Sequence, residues 1–199
     1  MGHASCVQSA NFSPDGKLII SASWDHLAKV WGIGDGTPKL TLAGHTGRVH
    51  SAEFSPDGGR ALTASSDGTA RVWSATDGFL QVTLGGHAHG ARSACFSPDG
   101  ERILTVTFDV CKMWGAADSA LQFWFTDHRC PLQSARFSPN GERILTATLT
   151  QTAKVWDAWG GALLLTLTGV DGVPSACFSP DGERILTGSF DGIARIWKA

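Results

Sequence analysis

The feature that most constrains this chain is a repeat of nearly constant period. The motif Phe-Ser-Pro-Asp/Asn-Gly begins at Phe12, Phe54, Phe96, Phe137 and Phe178, at intervals of 42, 42, 41 and 41 residues. A tryptophan trails each copy, at Trp31, Trp73, Trp114, Trp156 and Trp197, at intervals of 42, 41, 42 and 41. Two markers kept in step along 199 residues leave no room for a linker or a second domain. The chain therefore reads as one domain, 1–199, with repeats near 1–42, 43–84, 85–125, 126–167 and 168–199.

Each repeat reads as short strands broken by turns. In the second, 48–54 is a strand and Ser55-Pro56-Asp57-Gly58 is a tight turn. Proline sets φ at its second position and glycine relaxes its fourth. Strands follow at 61–65, 69–73 and 79–84. Strands of about five residues form sheets too small to stand alone. Ala52, Phe54, Leu62, Val72 and Leu84 are not confined to one parity, so the sheet is apolar on both faces. Such sheets are covered by stacking around a ring or an arc.

A Gly-His step precedes the first strand at Gly2-His3, Gly44-His45 and Gly86-His87. A Ser-x-Asp turn follows the second strand, and Trp-Asp closes the repeat in full only at Trp156-Asp157. This pattern resembles the WD40 repeat over essentially the whole chain. The resemblance implies an all-β propeller of five four-stranded blades, and a non-catalytic scaffold for protein or peptide partners. Fourth strands are present at 39–42, 79–84, 121–125 and 162–167, and none follows Trp197. The last blade should thus lack its outer strand, leaving an unpaired edge open to self-association. A tight closed ring and an open arc, or a segment of a larger assembly, both fit. An arc would expose two apolar blade faces.

His3, Ser21, Asp25 and Trp31 in the first repeat, and His45, Thr63, Asp67 and Trp73 in the second, have the composition of a catalytic triad. The resemblance implies instead a buried hydrogen-bond network, Asp to His to Ser/Thr to indole, that holds each blade. Buried imidazole and indole N–H groups need such acceptors. The third repeat offers His87, Thr105, Asp109 and Trp114, with a turn one residue short. The fourth has His128, Thr146 and Trp156, with Thr150 in place of the aspartate. The fifth has Thr187, Asp191 and Trp197, with Val170 in place of the histidine. Blades four and five are therefore expected to be the less stable.

A partner surface is expected where the repeats differ. The Ser-Pro-Asp-Gly turns are nearly invariant, whereas the loops before the first strands vary and carry Arg48, Arg92 and Arg129. The residue before the turn aspartate, or its replacement, is Trp24, Ser66, Phe108, Leu149 and Phe190. Large apolar groups in a turn that meets solvent suit partner anchors. They suit gaps between blades equally well.

Other chemistry is weakly signalled. Net charge is −2, with 16 basic and 18 acidic residues and no long basic run, which disfavours nucleic acid or an anionic membrane as partner. No apolar run reaches 18 residues and the N-terminus lacks a secretory pattern, so a cytoplasmic protein is expected. The five cysteines lack CxxC spacing and read as reduced thiols. His87, His89 and Cys95 make a poor metal set, no phosphate-loop glycine motif occurs, and no cofactor is expected. Lys29, Arg71, Lys112, Lys154 and Arg195 recur two residues before each tryptophan. They read as a basic stripe for phosphate, or as long stems lying along apolar surface.

Overall fold

The computed structural model describes residues 2–125, 132–149, 152–168, 172–173 and 175–199. Among them are 19 strands in five sheets, and no helix. Blade 1 comprises β1 (Val7–Phe12), β2 (Leu18–Ser23), β3 (Ala28–Gly32) and β4 (Pro38–Leu42). Blade 2 comprises β5 (Val49–Phe54), β6 (Arg60–Ser65), β7 (Ala70–Ser74) and β8 (Leu80–Leu84). Blade 3 comprises β9 (Ser93–Phe96), β10 (Arg102–Val106), β11 (Cys111–Gly115) and β12 (Leu121–Phe125). Blade 4 comprises β13 (Leu132–Phe137), β14 (Arg143–Thr148), β15 (Thr152–Asp157) and β16 (Leu163–Thr168). Blade 5 has only β17 (Ser175–Phe178), β18 (Arg184–Gly188) and β19 (Ala194–Lys198), with β19 outermost. Strands follow one another in chain order within every sheet. This is the strand content of a five-bladed β-propeller with a short last blade.

The chain divides into two compact units. Unit 1 is Met1–Phe96 with Ala116–Ser119. In it Ile20, Val30 and Leu42 of blade 1 pack with Val49, Phe54, Ala61 and Trp73 of blade 2. Ile20 stands opposite Val30, and Ala61 opposite Trp73, so each cross-strand pair forms half of a blade-to-blade joint. Burial of each such side chain contributes roughly 1.5–3 kcal/mol. Unit 2 is Ser97–Gly115 with Ala120–Ala199. There Leu145, Val155 and Leu167 of blade 4 pack with Val173 and Ile185. Phe178 and Trp197 lie at the margin of that cluster.

Local chemistry explains the turns. In blade 2, Ser55 Oγ donates to Asp57 Oδ1 at 2.5 Å and accepts from Arg60 N at 2.9 Å. Gly58 closes the turn at φ 73°, a left-handed conformation that glycine adopts without steric cost. The first two strands of blades 1, 2 and 4 each contain a register shift that leaves one residue bulged: Gln8, His50 and Gln133. Bulges re-aim side chains at strand ends. Gln8 and His50 are thereby set beside the variable loops.

Candidate functional site

The His, Ser/Thr, Asp and Trp side chains meet in blades 1 and 2. His45 Nδ1 lies 2.7 Å from Asp67 Oδ2, and Nε2 lies 2.7 Å from Thr63 Oγ1. Trp73 Nε1 donates to the same Thr63 oxygen at 2.8 Å. One arrangement of protons satisfies every group. The indole N–H donates to the hydroxyl, the hydroxyl donates to Nε2, and Nδ1–H donates to the carboxylate. In that arrangement the imidazole is neutral. Burial, with the Arg71 charge adding to it, outweighs Asp67 and holds His45 below its ordinary value. Burial alone would raise Asp67, but bonds from Thr69, His45 and the Thr46 amide bring it down to about 2. In blade 1 His3 contacts Asp25 at 2.9 Å and Ser21 at 2.7 Å, and Trp31 donates to Ser21 at 2.7 Å.

The indole half of this relay recurs in every blade: Trp114 to Thr105, Trp156 to Thr146 and Trp197 to Thr187, each at 2.8 Å. Among the described residues, the turn aspartates of blades 3 and 5 meet other partners. Asp109 accepts from Thr107 Oγ1 at 3.0 Å, and Asp191 accepts from Arg195 at 2.7 Å. His87 is buried. His128, Thr150 and Val170 lie outside the described residues. The Ser21 and Thr63 hydroxyls are buried and committed to imidazole and indole, an arrangement that clamps strands together.

The variable-loop rim is built by one repeated backbone bond. The amide before the turn aspartate donates to the loop ahead of the first strand: Trp24 to Cys6, Ser66 to Arg48, Phe190 to Gly172. This bond ties the turn to the loop in blades 1, 2 and 5. In unit 1 the Arg48 guanidinium lies 4.4 Å over the Trp24 ring, and Trp24 Nε1 donates to the bulged Gln8 at 3.1 Å. Trp24 is half-buried, and Arg48 and Arg92 are exposed. The bulged His50 is held below its ordinary value, chiefly by burial and then by the charges of Arg92 and Arg48. Trp24, Arg48, His50 and Arg92 thus form an aromatic and cationic cluster. Its His50 member sits at a bulge, which the alternation of β5 did not signal. In unit 2, Phe108 is 48% exposed, Phe190 65% and Leu149 38%. Arg129 lies outside the described residues.

The remaining candidates scatter. Lys29, Arg71, Lys112 and Lys154 each lie 5.6–5.9 Å over the tryptophan of their own strand. Arg195 instead pairs with Asp191. His87 is buried while His89 is exposed. No group of three or more His, Cys, Asp or Glu among the described residues is placed to hold a metal. No helix of the described residues is long and apolar enough to cross a membrane.

Comparison with known proteins agrees with this geometry. Over 36 residues the chain is 50% identical to Ribosome assembly protein 4 of Chaetomium thermophilum, a match spanning 18% of this chain and 7% of that protein. The family described as WD domain, G-beta repeat matches at residues 1–32, 36–74, 78–124, 119–157 and 161–198. With five sheets in register with those matches and an indole-to-hydroxyl bond in each, the chain belongs to the WD40-repeat family.

Proposed function

We propose that this protein is a non-catalytic interaction scaffold that holds a protein or peptide partner on its variable-loop rim. The observation that carries this reading is the cluster of Trp24, Arg48, His50 and Arg92. An aromatic face beside two guanidinium cations and an imidazole suits a partner segment bearing a carboxylate next to an apolar side chain. Exposed Phe108 and Phe190 supply further apolar anchors. Nucleic acid is a poor fit, since the balance of charge is negative overall. The exposed thiols of Cys6 and Cys177 suit a reducing, cytoplasmic setting.

A second reading, a place within a larger multi-protein assembly, is favoured by the similarity to a protein named for ribosome assembly. Affinity capture with the wild-type chain and with Trp24→Ala/Phe108→Ala/Phe190→Ala and Arg48→Glu/Arg92→Glu variants tests the rim. Partners lost by variants that melt at the wild-type temperature support it. Early melting of the aromatic variant makes those side chains core. An unchanged set of partners from stable variants places binding elsewhere.

A further inference from the structure

In unit 1 the first strands of three successive repeats are stitched together at one level. Ser9 Oγ accepts from Ala52 N at 3.2 Å, and Ser51 Oγ accepts from Ala94 N at 3.3 Å. The residue four before the motif phenylalanine is Gln8, His50 and Arg92 in these strands. The stitching carries these three polar side chains into one row beside the variable loops. Arg48, two residues before His50, joins the row and lies 4.4 Å over the Trp24 ring, while Trp24 donates to Gln8 at 3.1 Å.

Blade 2 leaves room in this row. Ser66 is the only small residue in the series Trp24, Ser66, Phe108, Leu149 and Phe190, and it is exposed. Two loops close onto it through glycine. A Cβ on Gly47 would lie 2.7 Å from Ser66 Oγ, and one on Gly90 would lie 2.9 Å from Ser66 Cα. The loops that carry Arg48 and Arg92 therefore flank a low notch beside His50. The carboxylates of the same turns and strand are engaged elsewhere. Asp25 and Asp67 are committed to His3 and His45, and Glu53 accepts from Phe96 N at 2.7 Å. Cys6, His26 and His89 are the other titratable side chains of the adjoining loops, and all three are exposed.

We propose that this notch seats a carboxylate of an acidic partner segment against Arg48, His50 and Arg92, and that its capture is coupled to proton uptake by His50, so that the rim holds its partner more tightly as the solution is acidified. The coupling rests on the rim being the partner surface. Protonation of free His50 is opposed by burial and then by the charges of Arg92 and Arg48. An arriving carboxylate offsets those charges and favours the imidazolium. Solvent supplies the proton, and the second ring N–H so formed can donate to the bound carboxylate. By linkage, the factor by which the carboxylate favours the proton is the factor by which the proton favours the carboxylate.

NMR of the His50 ring in the full chain tests this, with acetyl-Glu-Leu-amide as probe and acetyl-Gln-Leu-amide as its uncharged control. The glutamate peptide should raise the midpoint of the His50 titration and bind about fivefold more tightly at about pH 5.5 than at about pH 7.5. The glutamine peptide should leave the midpoint in place. These readings use the wild-type chain alone and decide even if a variant fails to fold. His50→Gln should bind the glutamate peptide equally at both pH values. Arg92→Gln should weaken binding at both, and should raise the His50 midpoint in the absence of peptide. A midpoint indifferent to the glutamate peptide, or moved equally by both peptides, overturns the proposal. Affinity capture separates it from the rim reading. If a stable Arg48→Glu/Arg92→Glu chain loses partners while His50 ignores the peptide, the rim reading stands and the coupling fails. If His50 responds and capture is unchanged, the coupling stands and the rim reading fails.

Discussion

Blades 2 and 5 are written in nearly the same letters and live in different environments. Leu62 and Leu186 hold the same place after the Ser-Pro-Asp-Gly turn, yet the first is 1% exposed and the second 45%. Within unit 1, blade 2 meets blade 1 on one face and β9 on the other. In blade 5 Ile185 is fully buried against blade 4 while Leu186, the next residue, is open. A repeat therefore specifies its sheet, and the neighbouring repeat supplies the burial. Stability in such a chain resides in the joints as much as in the blades.

The relay gives the largest expected contrast. Thr63→Val leaves both the Trp73 indole N–H and His45 Nε2 buried without their shared partner. Two orphaned groups cost about 4 kcal/mol. Thr187→Val orphans only the partly exposed Trp197 indole and should cost about 1 kcal/mol. Urea midpoints of the two variants measure the gap, and equal losses would break the comparison. Next in size is the apolar pair. Leu62→Ala should cost about 3 kcal/mol through the cavity it opens, and Leu186→Ala below about 1 kcal/mol.

Smaller again is the carboxylate. Asp67→Asn removes the charged acceptor of His45 Nδ1, the Thr46 amide and Thr69, and should cost about 2 kcal/mol. Asp191→Asn loses one partly buried pair with Arg195 and should shift the midpoint less. Hydrogen exchange should follow the same order, with slower exchange of β6 amides than of β18 amides. Uniform protection would mean that the missing partners of blade 5 do not matter.

The strands and the indole-to-hydroxyl bonds were legible because the repeat displays them five times. Phe54, Trp73 and the Ser-Pro-Asp-Gly turn fix register through local chemistry that each copy carries in full. What the letters hid was position within the array. Val7 and Val49 are the same residue at the same register, and only a neighbour distinguishes 54% exposure from none. The bulge at His50 was hidden for a similar reason. Alternation along β5 places a histidine in a strand, and only the pairing of Val49 with Ser65 and Ser51 with Ala64 sets it outside the ladder. Asp191 keeps the identity of Asp67 and meets Arg195 instead of an imidazole.

Acid provides the finest comparison, because blade 2 carries two histidines whose protonation folding opposes. Burial holds His45 and His50 below the ordinary value of 6.5. As pH falls past 6.5, the unfolded chain takes up protons at these sites before the folded chain does. Stability therefore decreases on acidification in that window. Asp67 acts with the same sign lower down: its contribution is complete above 3.8 and is lost as pH falls toward about 2. Asp191 is also lowered, through its bond from Arg195, so blade 5 responds only in the carboxylate range. Between about pH 7 and pH 5 blade 2 should then contribute to the acid limb through His45 and His50, and the Asp191 pair of blade 5 should not. Urea midpoints at several pH values should show a decline for the wild-type chain and a flatter profile for His45→Gln/His50→Gln. If the profile keeps its slope, the proton uptake lies outside the relay and the bulge, and the contrast between the two blades is one of packing alone.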